Sequence, residues 1–161
     1  MTSPIQSTTR PSLNIFLYYW LPVIIWMSLI FYVSHQDSNN TGQNGDIFMF
    51  FFNLLNLDPE RMVELKVPFY IRKLAHVVEY FILFLLTQRL TAQYIKLPKG
   101  LWLALGITVF YAMSDEFHQT FIPGREGKWS DVGIDSFGAI LALGITYIFH
   151  QRKLIKSKKL S

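Results

Sequence analysis

The chain has 161 residues, 51% hydrophobic and 16% aromatic, with a net charge of +4. Its apolar residues come in long blocks, as an integral membrane protein requires, and the length suits a single small membrane domain. Cysteine is absent, which excludes disulfides, thiolate metal sites and cysteine nucleophiles; the basic residues flank apolar blocks and orient them, so no nucleic-acid role is expected.

Residues 1–12 are expected to form a cytoplasmic tail, poorly ordered like the other end of the chain. Leu13 to Val33 follows without a charge, matching the roughly 20 residues that a helix needs to cross a bilayer. Pro22 lies inside this block and is expected to kink the helix. A long outer loop, Ser34 to Phe69, contains the apolar run Ile47 to Leu57. Asp46, Asn53, Asn56 and Glu60 fall at helical intervals around it, which predicts a short helix lying in the membrane interface. A loop plugged into the top of the bundle is the alternative.

Three further spans are expected at about Tyr70 to Leu90, Leu101 to Phe121 and Asp131 to His150, each including a polar end. Pro and Gly mark the turns between them, Leu97-Pro98-Lys99-Gly100 and Ile122-Pro123-Gly124-Arg125-Glu126-Gly127. Residues 151–161 form a basic cytoplasmic tail. The predicted fold is therefore an all-α membrane protein, four transmembrane helices in an antiparallel bundle over residues 13–150 plus the interfacial helix. Nine of the 15 basic residues and no acid fall on the side shared by both termini and the second loop, so the positive-inside rule puts that side in the cytoplasm.

Ionisable residues then gather at the outward helix ends. Arg72, His76, Glu79 and Leu83 share one helix face, with Lys73 beside them. Ala104, Thr108, Tyr111, Asp115 and His118 share a second, followed by Glu116 and Gln119 at the same end. Asp131, Asp135, Gly138, Ala142 and Thr146 share a third, acidic at first and then built of small residues that let helix backbones approach. Each ionisable group costs about 2.5 to 3.5 kcal/mol to insert. A chain that keeps so many is expected to use them, and the three faces can converge on a polar pocket that opens outward.

The strings Arg72 to Tyr80 (RKLAHVVEY), Ser114 to Arg125 (SDEFHQTFIPGR) and Asp131 to Gly138 (DVGIDSFG), with Ser34-His35-Gln36 after the first span, resemble the VanZ-like family of small bacterial membrane proteins. The likeness runs in order over about residues 13 to 150. It departs from the family pattern at Asp135 and Ser136, where Asn is frequent. The family's namesake is associated with resistance to the lipoglycopeptide teicoplanin. The resemblance therefore implies a multi-pass protein of the bacterial cytoplasmic membrane with a role in the cell envelope, and it supplies no reaction.

Three readings of the polar cluster stand side by side. In the first it is structural glue, hydrogen bonds that fix the bundle. In the second it binds the headgroup of a membrane lipid or lipid-linked wall precursor through Arg72, Lys73, His76, Glu79, Asp115, Glu116, His118, Gln119, Arg125, Asp131 and Asp135. There the cations suit phosphate or carboxylate, and Trp129 and the Phe48 to Phe52 run suit acyl or sugar surfaces. In the third it is an acid/base hydrolase or transferase for such a substrate. His118 or His76 would act as base, Glu79 or Asp115 as partner or acid, and Arg125 as stabiliser of developing charge. No nucleophile elbow surrounds Ser114. The nitrogen and oxygen donors match no metal signature, so no metal or other cofactor is expected.

Overall fold

The structure is a computed structural model that describes residues 13–35, 50, 52–123, 125 and 127–160, with side chains described as far as 156. Helices α1 (Leu13–Ser34), α2 (Pro59–Glu64), α3 (Val67–Thr91), α4 (Lys99–Gln119) and α5 (Trp129–Leu160) account for most of it, and no strand occurs among the described residues. Two helical stretches, Leu13–Ser34 and Trp129–Lys156, are long and apolar enough to cross a membrane. The other two expected spans are helices of 25 and 21 residues that carry the polar clusters of the sequence.

Pro22 leaves its mark on α1. It has no N–H to donate and its ring crowds the carbonyl four residues earlier. The turn before it, Phe16–Trp20, is accordingly widened to π-helical geometry, with the Leu21 N–H reaching back to the Phe16 carbonyl. Between α1 and α3, Asp58 caps α2 by accepting the Glu60 N–H at 3.1 Å.

The expected interfacial helix is only partly within view, because residues 47–49 and 51 lie outside the described residues, as do Gln36, Gly124 and Glu126. Residues 52–54 are helical, but Asn56 is left-handed at φ 54° and Glu60 belongs to the separate helix α2. Within the described residues the polar stripe is therefore divided between two short helical pieces, and Asp46 lies outside them. An L-residue at positive φ cannot continue a right-handed helix. At the other end, α5 continues through residues 151–160, where a poorly ordered tail was expected. No Gly or Pro interrupts that stretch.

Contacts along the helices fix their directions. Trp26 Nε1 donates to the Glu79 carbonyl at 2.9 Å and Trp20 Nε1 to the Tyr94 hydroxyl at 3.0 Å, so α1 and α3 run antiparallel. Thr91 Oγ1 donates to the Gly100 carbonyl at 3.0 Å across the turn into α4, which reverses again. α5 then lies parallel to α3, and a Cβ placed on Gly138 would fall 2.1 Å from the Val77 carbonyl oxygen. No larger residue permits that approach. Two apolar clusters fill the interior, one of Val23, Ile30, Tyr80, Leu83, Leu90 and Ala112, the other of Phe84, Leu101, Ala104, Ala139 and Ala142.

The outer surface of the long helices is also apolar. Ile71, Leu74, Val78 and Leu85 on α3, and Trp102, Ile107, Phe110 and Phe117 on α4, are all exposed. Charged Asp115, Glu116 and Asp135 are buried. This distribution inverts the usual one for a soluble protein.

Candidate functional site

The polar ends of α1, α3, α4 and α5 meet at one end of the bundle. Asp115 lies at their centre, 2% exposed. Its Oδ2 accepts the Ser34 hydroxyl at 2.8 Å and the Gln119 amide at 3.1 Å, while Oδ1 is buried without a hydrogen-bond partner among the described residues. The helical turn separating Asp115 from Gln119 points both side chains inward, and the end of α1 supplies Ser34 opposite them.

His76 and Glu79 approach from α3 and Asp135 from α5. His76 Nδ1 lies 3.6 Å from Glu79 Oε2 and 3.7 Å from Asp135 Oδ1, beyond hydrogen-bond distance, and this nitrogen too is buried without a partner. The Tyr80 hydroxyl is a third such atom, on a residue with no exposed surface. Asp115 acts electrostatically on His76, Glu79, Tyr80, Tyr111, Glu116 and Asp135, which makes it the common neighbour of the cluster.

Around this centre the remaining groups are tied in pairs. Lys73 Nζ bonds Asp131 Oδ1 at 2.5 Å and also lies over the Phe69 ring. Glu116, 5% exposed, accepts the backbone N–H of Lys128 at 2.6 Å, which fastens the loop before α5 to the end of α4. Gly127 makes that approach possible, since a Cβ there would stand 2.7 Å from the Glu116 carbonyl oxygen. His118 Nε2 and His35 Nδ1 share a 3.2 Å hydrogen bond, and the Phe31 ring stacks on His118 with centroids 4.3 Å apart.

Of the residues singled out from sequence, His76, Glu79, Asp115, Glu116, Gln119, Asp131 and Asp135 thus lie together, with Lys73 at their edge. His118 is joined to them through the adjacent end of α1. Arg125 is half-buried, and its charge reaches both His76 and Glu79. Arg72 stands apart, exposed and without an ion pair among the described residues. Trp129 is exposed; in the aromatic run Phe50 is exposed and Phe52 buried, while Phe48 and Phe51 lie outside the described residues.

Sequence reasoning left Ser34, His35, Tyr80 and Tyr111 out of the site. The signal for the first two was their position directly after the first apolar block. For Tyr111 the signal was the helix face it shares with Asp115 and His118; for Tyr80 none existed, because a tyrosine within an apolar block reads equally well as an interface residue. Tyr111 in fact turns its hydroxyl to the Met27 carbonyl at 2.5 Å, tying α4 to α1.

A partly open cavity of about 190 Å³ adjoins the cluster, lined by Met113, Glu116, Phe117, Thr120, Trp129 and Val132 together with Gly127. A wider groove of about 470 Å³ runs between α3 and α5, from Lys73 and Ser130 past Leu74, Val77 and Ile134 to Phe137. Among the described residues, no three His, Asp or Glu side chains take up a metal-holding arrangement.

A helical bundle with apolar outer faces and a polar interior at one end is the architecture of a membrane protein, in keeping with its two span-length apolar helices. The model of the VanZ/LLP1 family matches residues 19–150, and the chain belongs to that family. No curated protein and no solved structure matches it.

Proposed function

We propose that the protein is a four-span protein of the bacterial cytoplasmic membrane, with both termini in the cytoplasm. In this reading its polar end faces outward and binds the headgroup of a lipid or lipid-linked wall precursor, thereby altering susceptibility to glycopeptides such as teicoplanin. Family membership favours the envelope setting. Exposed apolar stripes on α3 and α4, back to back with their buried polar stripes, favour four spans over two.

The observation that carries the reading is Asp115, a buried carboxyl with one oxygen satisfied twice and the other, among the described residues, not at all. Structural glue satisfies its own atoms, because an unpaired polar atom in a low-dielectric interior costs more than its bonds return. Unpartnered acceptors and donors at Asp115, His76 and Tyr80 suit a site completed by a polar ligand. Lys73 and Arg125 at the rim offer donors to a phosphate.

The test is a comparison of function with accumulation. Glu79→Gln and His118→Ala are expected to abolish the protein's effect on glycopeptide susceptibility while membrane levels stay within about twofold of wild type. Parallel loss of protein and effect would favour glue. A catalytic reading rests on His76 between two carboxyl groups, an arrangement suited to proton transfer. Incubation of the purified protein with labelled lipids and wall precursors separates the two: unchanged lipid means binding, a new product means catalysis.

A further inference from the structure

Two glycines of α5 stand in opposite circumstances. Gly138 is required, because a Cβ there would fall on the Val77 carbonyl. At Gly133, nearer the polar end, an added Cβ would meet nothing within 4 Å. A glycine inside a helix destabilises it, and no packing contact asks for one at 133. What its missing side chain leaves is width in the groove of about 470 Å³ between α3 and α5, which Gly133 lines. That groove is ordered along its length. Lys73 and Ser130 stand at its head, beside the polar end of the bundle, and it runs between apolar walls to Phe137, next to the α3 and α5 contact at Gly138. From Ser130 to Phe137 the helix rises about 10 Å. Gly144 is equally open in a second groove, but no charged side chain lines that one.

We propose that this groove seats one acyl chain of a phospholipid, with the phosphate of the same molecule at Lys73. The inference rests on the headgroup-binding reading above and supplies the place of the chain. A phospholipid has the groove's own order of polarity, charged at the head and apolar below, and its chains lie along the helices of the leaflet it occupies. Lys73 has three N–H donors, of which Asp131 takes one. Where lipid is the solvent the hydrophobic effect adds nothing, so the chain is held by van der Waals contact with walls on both sides and by its anchored head. The exposed Ile107 and Phe110 on α4 line none of these grooves and meet only passing chains.

The experiment uses the purified full chain in nanodiscs that contain phosphatidylglycerol carrying a photoactivatable diazirine midway along one palmitoyl chain. Irradiation is followed by peptide mapping of the adducts, and native mass spectrometry after transfer to detergent counts the lipid retained. Adducts on Leu74, Val77, Ile134 and Phe137 are expected at about fivefold over those on Ile107 and Phe110. Gly133→Leu, which fills the groove, is expected to bring them to the α4 level. Because groove and α4 are compared on the wild-type protein, the first result does not depend on how the variant folds. Equal labelling of the two, with lipid still retained in detergent, overturns the acyl-chain assignment and leaves headgroup binding standing. Undiminished groove labelling in a folded Gly133→Leu protein overturns the location. A dimer that Gly133→Leu abolishes would give the groove to a second copy of the chain and overturn the proposal. Retention of no lipid, together with equal labelling, overturns both this inference and the reading it rests on.

Discussion

At the scale of single residues, Asp115 ties α4 to α1 by accepting from Ser34, and accepts as well from Gln119 one turn along its own helix. Removing its carboxyl leaves two buried donors without their acceptor. Asp115→Ala is expected to lower unfolding free energy by about 1 to 3 kcal/mol, whereas Asp115→Asn, which keeps an oxygen in place, is expected to cost less than about 1 kcal/mol. Equilibrium unfolding in mixed micelles measures both, and equal losses would contradict the hydrogen-bond assignment. That Asp115 faces inward could be read from its register with Ala104, Thr108 and His118. Its partner on α1 could not. Periodicity reports which face of a helix is buried but not which neighbour it meets, so Ser34 and His35 stood out as a motif after the first span while their partners Asp115 and His118 could not be read. Arg72 shows the converse limit, since it shares a face with His76 yet lies a turn nearer the helix end, where that face is exposed.

At the scale of elements, the closest helix approach is that of α5 against α3 at Gly138. An added methyl there meets the Val77 carbonyl, so Gly138→Ala is expected to destabilise the bundle by about 1 to 3 kcal/mol. Gly133 and Gly144, on the same helix, have nothing within 4 Å of an added Cβ. Alanine at either is expected to be neutral or to stabilise by up to about 1 kcal/mol through helix propensity. Thermal unfolding of the three variants checks the order, and equal effects would remove the case for a tight α3 and α5 crossing. The apolar blocks made the long helices readable to within a few residues, apart from the C-terminal extension of α5. The 52–64 region was less readable because its boundary is a left-handed Asn56, a backbone state that hydropathy does not record.

At the scale of the whole molecule, the polar ends of four helices are gathered at one end, and the apolar exterior continues along their flanks. That the chain is all-helical, with at least two apolar helices of spanning length among the described residues, was readable from apolar block length. That the three polar faces could converge was expected from their register, but which helices pack against which was not readable, because packing order is set by side-chain fit and by the close approach at Gly138. The proposed arrangement also fixes which loops lie outside. As the chain has no cysteine, single cysteines can be introduced without background, at Glu64 and Ser130 beside the polar end and at Gln93 and Lys156 near the opposite one.

Labelling those four variants in intact cells with a membrane-impermeant thiol reagent tests the outward-facing, four-span arrangement on which the functional reading depends. Cysteines at 64 and 130 are expected to react before permeabilisation, and those at 93 and 156 only after it. Labelling of 93 or 156 in intact cells, with 64 and 130 protected, would place the acidic cluster at the cytoplasmic face and contradict the account.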